Sequence, residues 1–186
     1  ASIYSNPTTP AWICRTASEL RTSGELADNY ESSVLEALAY MGRDFRKELG
    51  HPFQAPFQAT AARYTDNYVL MISGSKIFSY AGQRIAIAAI SDKLRNRFYP
   101  ALKERYGSGR FAESYALTFL YAASSGASHS AQYALAAMFK AAADGKLDFV
   151  GHTREYAHRA HRVKERFARH GVHIVYDNAQ DEHVRD

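Results

Sequence analysis

The chain has 186 residues, enough for one domain with a sizeable core, since single domains commonly run to roughly 100 to 200 residues. Hydrophobic residues make up 46% and charged residues 23%, which excludes the low-hydrophobicity, high-charge signature of a disordered chain. Much of the net charge of +4 arises between Arg154 and Arg169, including Arg159, Arg162, Lys164 and Arg166, where a solvated helix face is expected rather than a nucleic-acid footprint.

Cys14 is the single cysteine, so an intrachain disulfide and a multi-cysteine metal site are both excluded, and a reducing, cytosolic setting is expected. No basic region followed by an apolar run opens the chain, and no stretch approaches the roughly 20 apolar residues of a membrane span. The absence of a starting Met and an opening directly on a strand are expected of a segment of a longer protein.

Ser2 to Ser5 reads as a strand end, and the loop Asn6-Pro7-Thr8-Thr9-Pro10 ends it because proline lacks a backbone donor. Thr16 with Glu19 three residues later has capping-box spacing, and Leu20, Leu26 and Ala27 supply an apolar stripe for a helix to about Tyr30. Ser33 to Ala37 reads as a short strand, and Tyr68 to Ser73 as a strand buried on both faces. An irregular excursion from Gly42 to about Ala59 connects them. Gly74 to Gln83 is a polar, glycine-punctuated loop, and Arg84 to Ile90 a further strand. Ser91 caps a helix that Gly107 ends, with Leu94, Phe98, Ala101 and Leu102 on one face. Helices are predicted from Phe111 to about Ala123, from Ser128 to about Ala143 and from Leu147 to His170, and a strand from Val172 to Tyr176. Alternating strands and helices followed by helices predict an α/β fold with a mainly parallel sheet.

Lys76 follows a buried strand among small residues, where parallel sheets place ligand sites. A lysine amine forms a Schiff base with a carbonyl when its surroundings leave part of it neutral, and Arg84 is a fixed cation that favours this. Ser73, Ser75 and Arg84 together suit a phosphate, because a guanidinium offers a planar fork matched to its oxygens. On spacing alone, a solvated lysine in a loop remains the commoner reading.

Ser73-Gly74-Ser75-Lys76, with Arg84 eight residues beyond the lysine and Gly82 just before it, resembles the S-x-S-K-x(7)-R signature of class I and II pyridoxal-phosphate-dependent aminotransferases of fold type I. Asn6-Pro7 is similar to that family's N-P-x-x-P loop, and Tyr40 resembles the tyrosine of its D-x-x-Y segment. The resemblance implies the large domain of that fold, with Lys76 carrying pyridoxal 5'-phosphate and shuttling the proton of the substrate. It implies Ser73 and Arg84 on the phosphate, which the residue reading above extends to Ser75, and Asn6 and Tyr40 on the phenolic oxygen. Hydrogen bonds there hold the phenolate ionised. One position departs from the pattern. Ala37 stands three before Tyr40, where the family has the aspartate that pairs with the pyridine nitrogen, and Glu36, on a continuing strand, faces the other way.

By the same resemblance, residues 1–145 are part of the cofactor-binding large domain, and 146–186 a long connecting helix and the start of an incomplete small domain. The family's glycine-containing phosphate loop and ring-stacking aromatic are expected upstream, and its carboxylate-binding arginine downstream. The parent is expected to transfer an amino group between an amino acid and a 2-oxo acid as a cytoplasmic homodimer, with the turn from Ser124 to His129 near the subunit interface. The alternatives are a degenerate, non-catalytic fragment lacking the pyridine-nitrogen aspartate, and another fold-type-I enzyme, a lyase or synthase. His152, His158, His161, His170, His173 and His183 lack a carboxylate-histidine cluster of ligand spacing, so no metal is expected.

Overall fold

In the computed structural model, residues 1–9, 12–45 and 49–174 are described, together with the backbone of 178–179 and 182–183. Strand β1 (Ser2–Ser5) leads through a loop to α1 (Ala17–Asn29), β2 (Val34–Ala37) and β3 (Tyr68–Ser73). A single turn, α2 (Gly74–Ile77), then precedes β4 (Ala86–Ile90). The sheet order is β1-β2-β3-β4, with the first three strands parallel and β4 antiparallel to β3.

The capping box at α1 is formed as its spacing predicts. Thr16 Oγ1 accepts from the Glu19 N–H at 3.2 Å, and the Glu19 carboxylate accepts from the Thr16 N–H at 2.8 Å. Leu20, Gly24 and Ala27 are buried on the inner side of the helix, whereas Leu26, expected on that stripe, is exposed. Ala27, Val34 and Ala61 pack with Tyr4, so α1 and the short 3₁₀ turn Ala61–Arg63 cover the sheet face that carries Val34 and Glu36.

Beyond β4, Ser91 caps α3 (Asp92–Asn96) by accepting from the Leu94 N–H at 3.1 Å. The helix expected to run unbroken to Gly107 stops there and resumes as α4 (Pro100–Tyr106). The residue before a proline is disfavoured in the helical region, and Tyr99 is extended at φ −123°. Phe98 instead bridges to Arg110. Next come α5 (Phe111–Glu113) and α6 (Tyr121–Ser124), joined by a π-helical stretch, Ser114–Leu120, and then α7 (His129–Ala143).

The long last helix is shorter than its pattern predicts. A 3₁₀ turn, Gly151–Thr153, precedes α8 (Arg154–Arg169), because Asp148 takes the Val150 and Gly151 N–H groups at 3.1 and 2.9 Å and holds the preceding chain in a turn. The strand predicted from Val172 is not formed over 172–174, and Val175 and Tyr176 lie outside the described residues. Two short strands, β5 (Asn178–Ala179) and β6 (Glu182–His183), pair with each other instead.

Two substitutions test this packing. Thr16→Ala is expected to lower the unfolding free energy by about 1 kcal/mol, read as a reduced urea midpoint. A Cβ on Gly24 would lie 2.8 Å from Tyr64 Cβ and 2.9 Å from the Tyr64 carbonyl oxygen. Relieving that overlap costs about 1–3 kcal/mol, more than the roughly 1 kcal/mol gained by replacing a helical glycine. Gly24→Ala is therefore expected to destabilise, and a midpoint at or above that of the unmodified chain would contradict the packing described.

Candidate functional site

Parallel pairing brings the carboxyl ends of β1, β2 and β3 side by side: Ser5 is opposite Ala37, which is opposite Met71. The ladder continues one step past each strand, through Asn6 N–H to the Ala37 carbonyl at 3.0 Å and Leu38 N–H to the Met71 carbonyl at 2.8 Å. Asn6, the turn bearing Tyr40, and the Ser73–Lys76 segment consequently leave the sheet at the same end. Arg84 reaches that end by the opposite route. Because β4 is antiparallel, Ala86 pairs with Ser73, and the residues just before β4 lie beside the end of β3.

The segment between them folds back on itself. Gly74 N–H donates to the Ile85 carbonyl at 3.2 Å, and Arg84 adopts a left-handed conformation at φ 50° after the 3₁₀ turn Ala81–Gln83. Five of the six predicted residues thus border one end of the sheet from the parallel strands, and the sixth arrives from β4. The expected loop carries Lys76 on the helical turn α2, capped by Ser73 Oγ accepting from the Ser75 N–H at 3.2 Å.

Several of these groups are chemically available. Lys76 and Arg84 are exposed, and the Lys76 amine has neither an ion pair nor a hydrogen bond among the described residues. Arg84 Nη1 donates to the Ala81 carbonyl at 3.0 Å, which leaves most of its fork unused. The Tyr40 ring lies 4.4 Å from that of Trp12, centroid to centroid, at 60°. Trp12 itself sits at φ 59°, held by its N–H donating to the Thr8 carbonyl at 2.9 Å.

Asn6 is buried and already engaged: its Nδ2 donates to Glu36 Oε1 at 3.1 Å, and its Oδ1 accepts from the Arg15 N–H at 3.0 Å. Glu36 is 0% exposed and also accepts from the Ala61 N–H at 2.7 Å. Burial pushes its carboxyl above the usual range, against the opposing pull of those two hydrogen bonds and the Arg15 charge. Tyr4 shares this environment; burial and the Glu36 charge raise its hydroxyl, with the Arg15 guanidinium stacked 4.2 Å above its ring.

The pairing of β2 is continuous from Val34 to Ala37 with both neighbours, so no bulge turns Glu36 toward the other face. Ala37 offers no charge in its place. The residues present therefore fit a phosphorylated aldehyde at its phosphate and at its carbonyl carbon, but not at a protonated ring nitrogen.

Sequence reasoning missed three contacts around this end. Glu36 is tied to Asn6, Trp12 packs on Tyr40, and Arg43 donates from Nη2 to the Lys76 carbonyl at 2.9 Å while its guanidinium lies 4.9 Å above the Tyr156 ring. A cavity of about 250 Å³ adjoins the lysine turn, lined by Arg43, Lys76, Phe78, Phe149, His152 and Tyr156 among others. No cluster of three or more metal-ligand side chains occurs among the described residues, and no described helix is long and apolar enough to cross a membrane.

No protein-family model matches the sequence, and no curated protein matches it. Solved structures do. A pyridoxal-phosphate-bound C-S lyase from Staphylococcus hominis superposes with a TM-score of 0.53 at 16% identity, over 89% of this chain and 35% of that one. An aspartate aminotransferase from Rhodobacter sphaeroides is 26% identical over 48% of this chain and 22% of its own, with a TM-score of 0.36. An aminotransferase from Mycobacterium tuberculosis is 19% identical over 50% and 23%, with a TM-score of 0.39. The likeness to the C-S lyase establishes the fold. The chain has the α/β fold of that pyridoxal-phosphate-bound lyase, and it spans about a third of the length of that relative.

An ion pair ties the chain just before the 3₁₀ turn Gly151–Thr153 to His51. His51 Nδ1 lies 2.8 Å from Asp148 Oδ2. Burial would raise the Asp148 carboxyl, but the hydrogen bonds from Gly151, His51 and Val150 outweigh it and hold the group below its ordinary value of 3.8. A depressed carboxyl stabilises the fold above its unfolded pKa and loses that contribution as pH falls through its folded one. Asp148→Asn is expected to destabilise at neutral pH, and the difference should shrink below about pH 4; half-exposed, the pair contributes modestly. Urea midpoints of both forms across that range check the sign.

Proposed function

We propose that this segment carries the cofactor-binding end of a pyridoxal-phosphate-dependent enzyme, with Lys76 as the attachment point. One observation supports it most: the antiparallel return of β4 pairs Ala86 with Ser73, so the backbone of Arg84 comes back to the end of β3 from which Ser75 and Lys76 leave. When bound, the cofactor supplies a conjugated ring that withdraws electrons from the carbon bearing a substrate's amino group. Everything else is the work of the chain.

Ser73, Ser75 and Arg84 would hold the phosphate, and the Tyr40 hydroxyl and Asn6 Nδ2 would donate to the phenolic oxygen. Trp12 fixes the Tyr40 ring by packing on it. Arg43, bonded to the Lys76 carbonyl, steadies the turn from which the amine projects. The Lys76 amine would be the group that holds the aldehyde, with loss of water, and once free it would accept a proton from the substrate carbon at Nζ and give it back, the role of a positioned general base.

For the intact protein, the reaction this reading favours is transfer of an amino group between an amino acid and a 2-oxo acid. The homodimer, the approach of the turn from Ser124 to His129 to its interface, the cytoplasmic setting and the two-part organisation at residue 145 belong to the same proposal. Lyase or synthase chemistry would use the same lysine turn, and product analysis of the intact protein separates the three.

A second reading, a fragment that keeps the fold without turnover, is favoured by Ala37. Without a carboxylate there, the ring nitrogen has no partner to keep it protonated, and the electron sink weakens. In the intact parent, Ala37→Asp is expected to raise amino transfer; equal activity of the two forms would show that Ala37 is tolerated.

Titration of the chain with pyridoxal phosphate is expected to give a visible band near roughly 420 nm, and borohydride reduction followed by peptide mapping to place the adduct on Lys76. Arg84→Ala is expected to weaken binding roughly 10- to 100-fold, the loss of charge-assisted hydrogen bonds. Adducts scattered over surface lysines, or no effect of Arg84→Ala, would count against the site.

A further inference from the structure

We infer that Glu36 is a positioning residue, whose buried carboxylate fixes the orientation of the Asn6 amide so that Asn6 presents an N–H, never its carbonyl oxygen, to the ligand at the carboxyl end of the sheet. The inference rests on the cofactor reading above and goes beyond it, because nothing in the lysine motif or the asparagine loop calls for an acid at this position.

The argument is one of donors and acceptors. An asparagine amide can normally sit either way round. Here both neighbours are one-way groups. The Arg15 backbone N–H can only donate, and it meets Oδ1 at 3.0 Å; an ionised carboxylate can only accept, and it meets Nδ2 at 3.1 Å. Turning the amide over would set donor against donor at Arg15 and acceptor against acceptor at Glu36. Each mismatch in a buried place costs about 1–3 kcal/mol, so the orientation is locked. Nδ2 carries two hydrogens, and its second has no partner among the described residues. Asn6 is therefore a donor with one bond to give, which suits an anionic oxygen such as a phenolate.

The same logic explains why a carboxyl group, with two accepting oxygens, stands here. Glu36 accepts from two donors at once, the Ala61 N–H at 2.7 Å and Asn6. Glutamine at this position has only one accepting oxygen. If that oxygen kept the Ala61 N–H, its amide nitrogen would face Asn6 Nδ2, and relief would require Asn6 to flip and oppose the Arg15 N–H. A change at residue 36, on the face covered by α1, would thus reach the ligand through Asn6 alone. The charged or titratable groups facing the carboxylate are Arg15, which favours its ionised form, and Tyr4, whose buried hydroxyl has no hydrogen-bond partner among the described residues.

The test is a mutant cycle read by pyridoxal phosphate affinity, followed through the visible absorbance band, for the unmodified chain, Glu36→Gln, Asn6→Ala and the double variant. Glu36→Gln is expected to weaken binding by about tenfold or more. The double variant should bind no more weakly than Asn6→Ala, because Glu36 acts only through that amide. Unchanged affinity of Glu36→Gln, or independent losses that multiply in the double variant, would overturn the inference while leaving the cofactor reading intact. Absence of specific binding by the unmodified chain would overturn both.

Should Glu36→Gln not fold, the unmodified chain still decides. In nitrogen-edited NMR spectra, cofactor addition is expected to shift the unpartnered Asn6 Nδ2 proton strongly and the proton bonded to Glu36 little. Neither proton shifting, or both shifting equally, would refute it.

Discussion

The reversal between β3 and β4 is the constraint on which this end of the molecule depends. In thirteen residues, from Ser73 to Ile85, the chain must leave a parallel strand, turn once as a helix and re-enter the sheet in the opposite sense. That path is set by the Gly74 to Ile85 hydrogen bond and by close packing under it. A Cβ on Gly74 would lie 3.0 Å from Leu135 Cδ1, so α7 seats directly against the turn. Ile77 with Ala142, Phe149 and Val150, and Ile85 with Ala131 and Leu135, extend that seat on both sides. This packing fixes the path on which Arg84 returns toward the end of β3, and the anion site proposed above requires that its donors be fixed before the anion arrives.

Beside this lies a second, polar constraint. A carboxylate at the centre of a small sheet is costly to bury, and the structure answers with two hydrogen bonds and a nearby guanidinium. The neighbouring position on the same strand is the neutral Ala37. Two successive residues on a strand face opposite sides, so the charge present at Glu36 cannot substitute for the charge absent at Ala37. On the reading proposed above, β2 keeps an acid that orients Asn6 while its other face has none, which would separate binding a cofactor from using it.

Much of this was legible in the chain. Strand and helix alternation, the Thr16 and Glu19 capping box, the Ser91 cap and the opposed faces of Glu36 and Ala37 all follow from local chemistry and the period of a strand, and the structure forms each of them. The convergence of Arg84 with Ser73 was legible only as a motif, since no local signal states that β4 runs antiparallel. The break before Pro100 was hidden because proline is also acceptable in a first helical turn, and the apolar periodicity runs through it. The Asn6–Glu36–Ala61 network joins residues 25 and 30 positions apart, and Arg43 reaches Lys76 across 33; contacts of that range leave no trace in spacing. Trp12 at positive φ is a local surprise of the same kind, a bulky residue held by its loop where glycine is the usual choice.

Phosphorus NMR of pyridoxal phosphate bound to the chain tests the central claim most directly, because it observes the phosphate itself. If Ser73, Ser75 and Arg84 enclose it at the end of the sheet, its resonance should be distinct from that of the free cofactor and insensitive to pH across the second phosphate ionisation near about 6. A bound resonance that titrates like the free cofactor would place the phosphate in solvent and contradict the account.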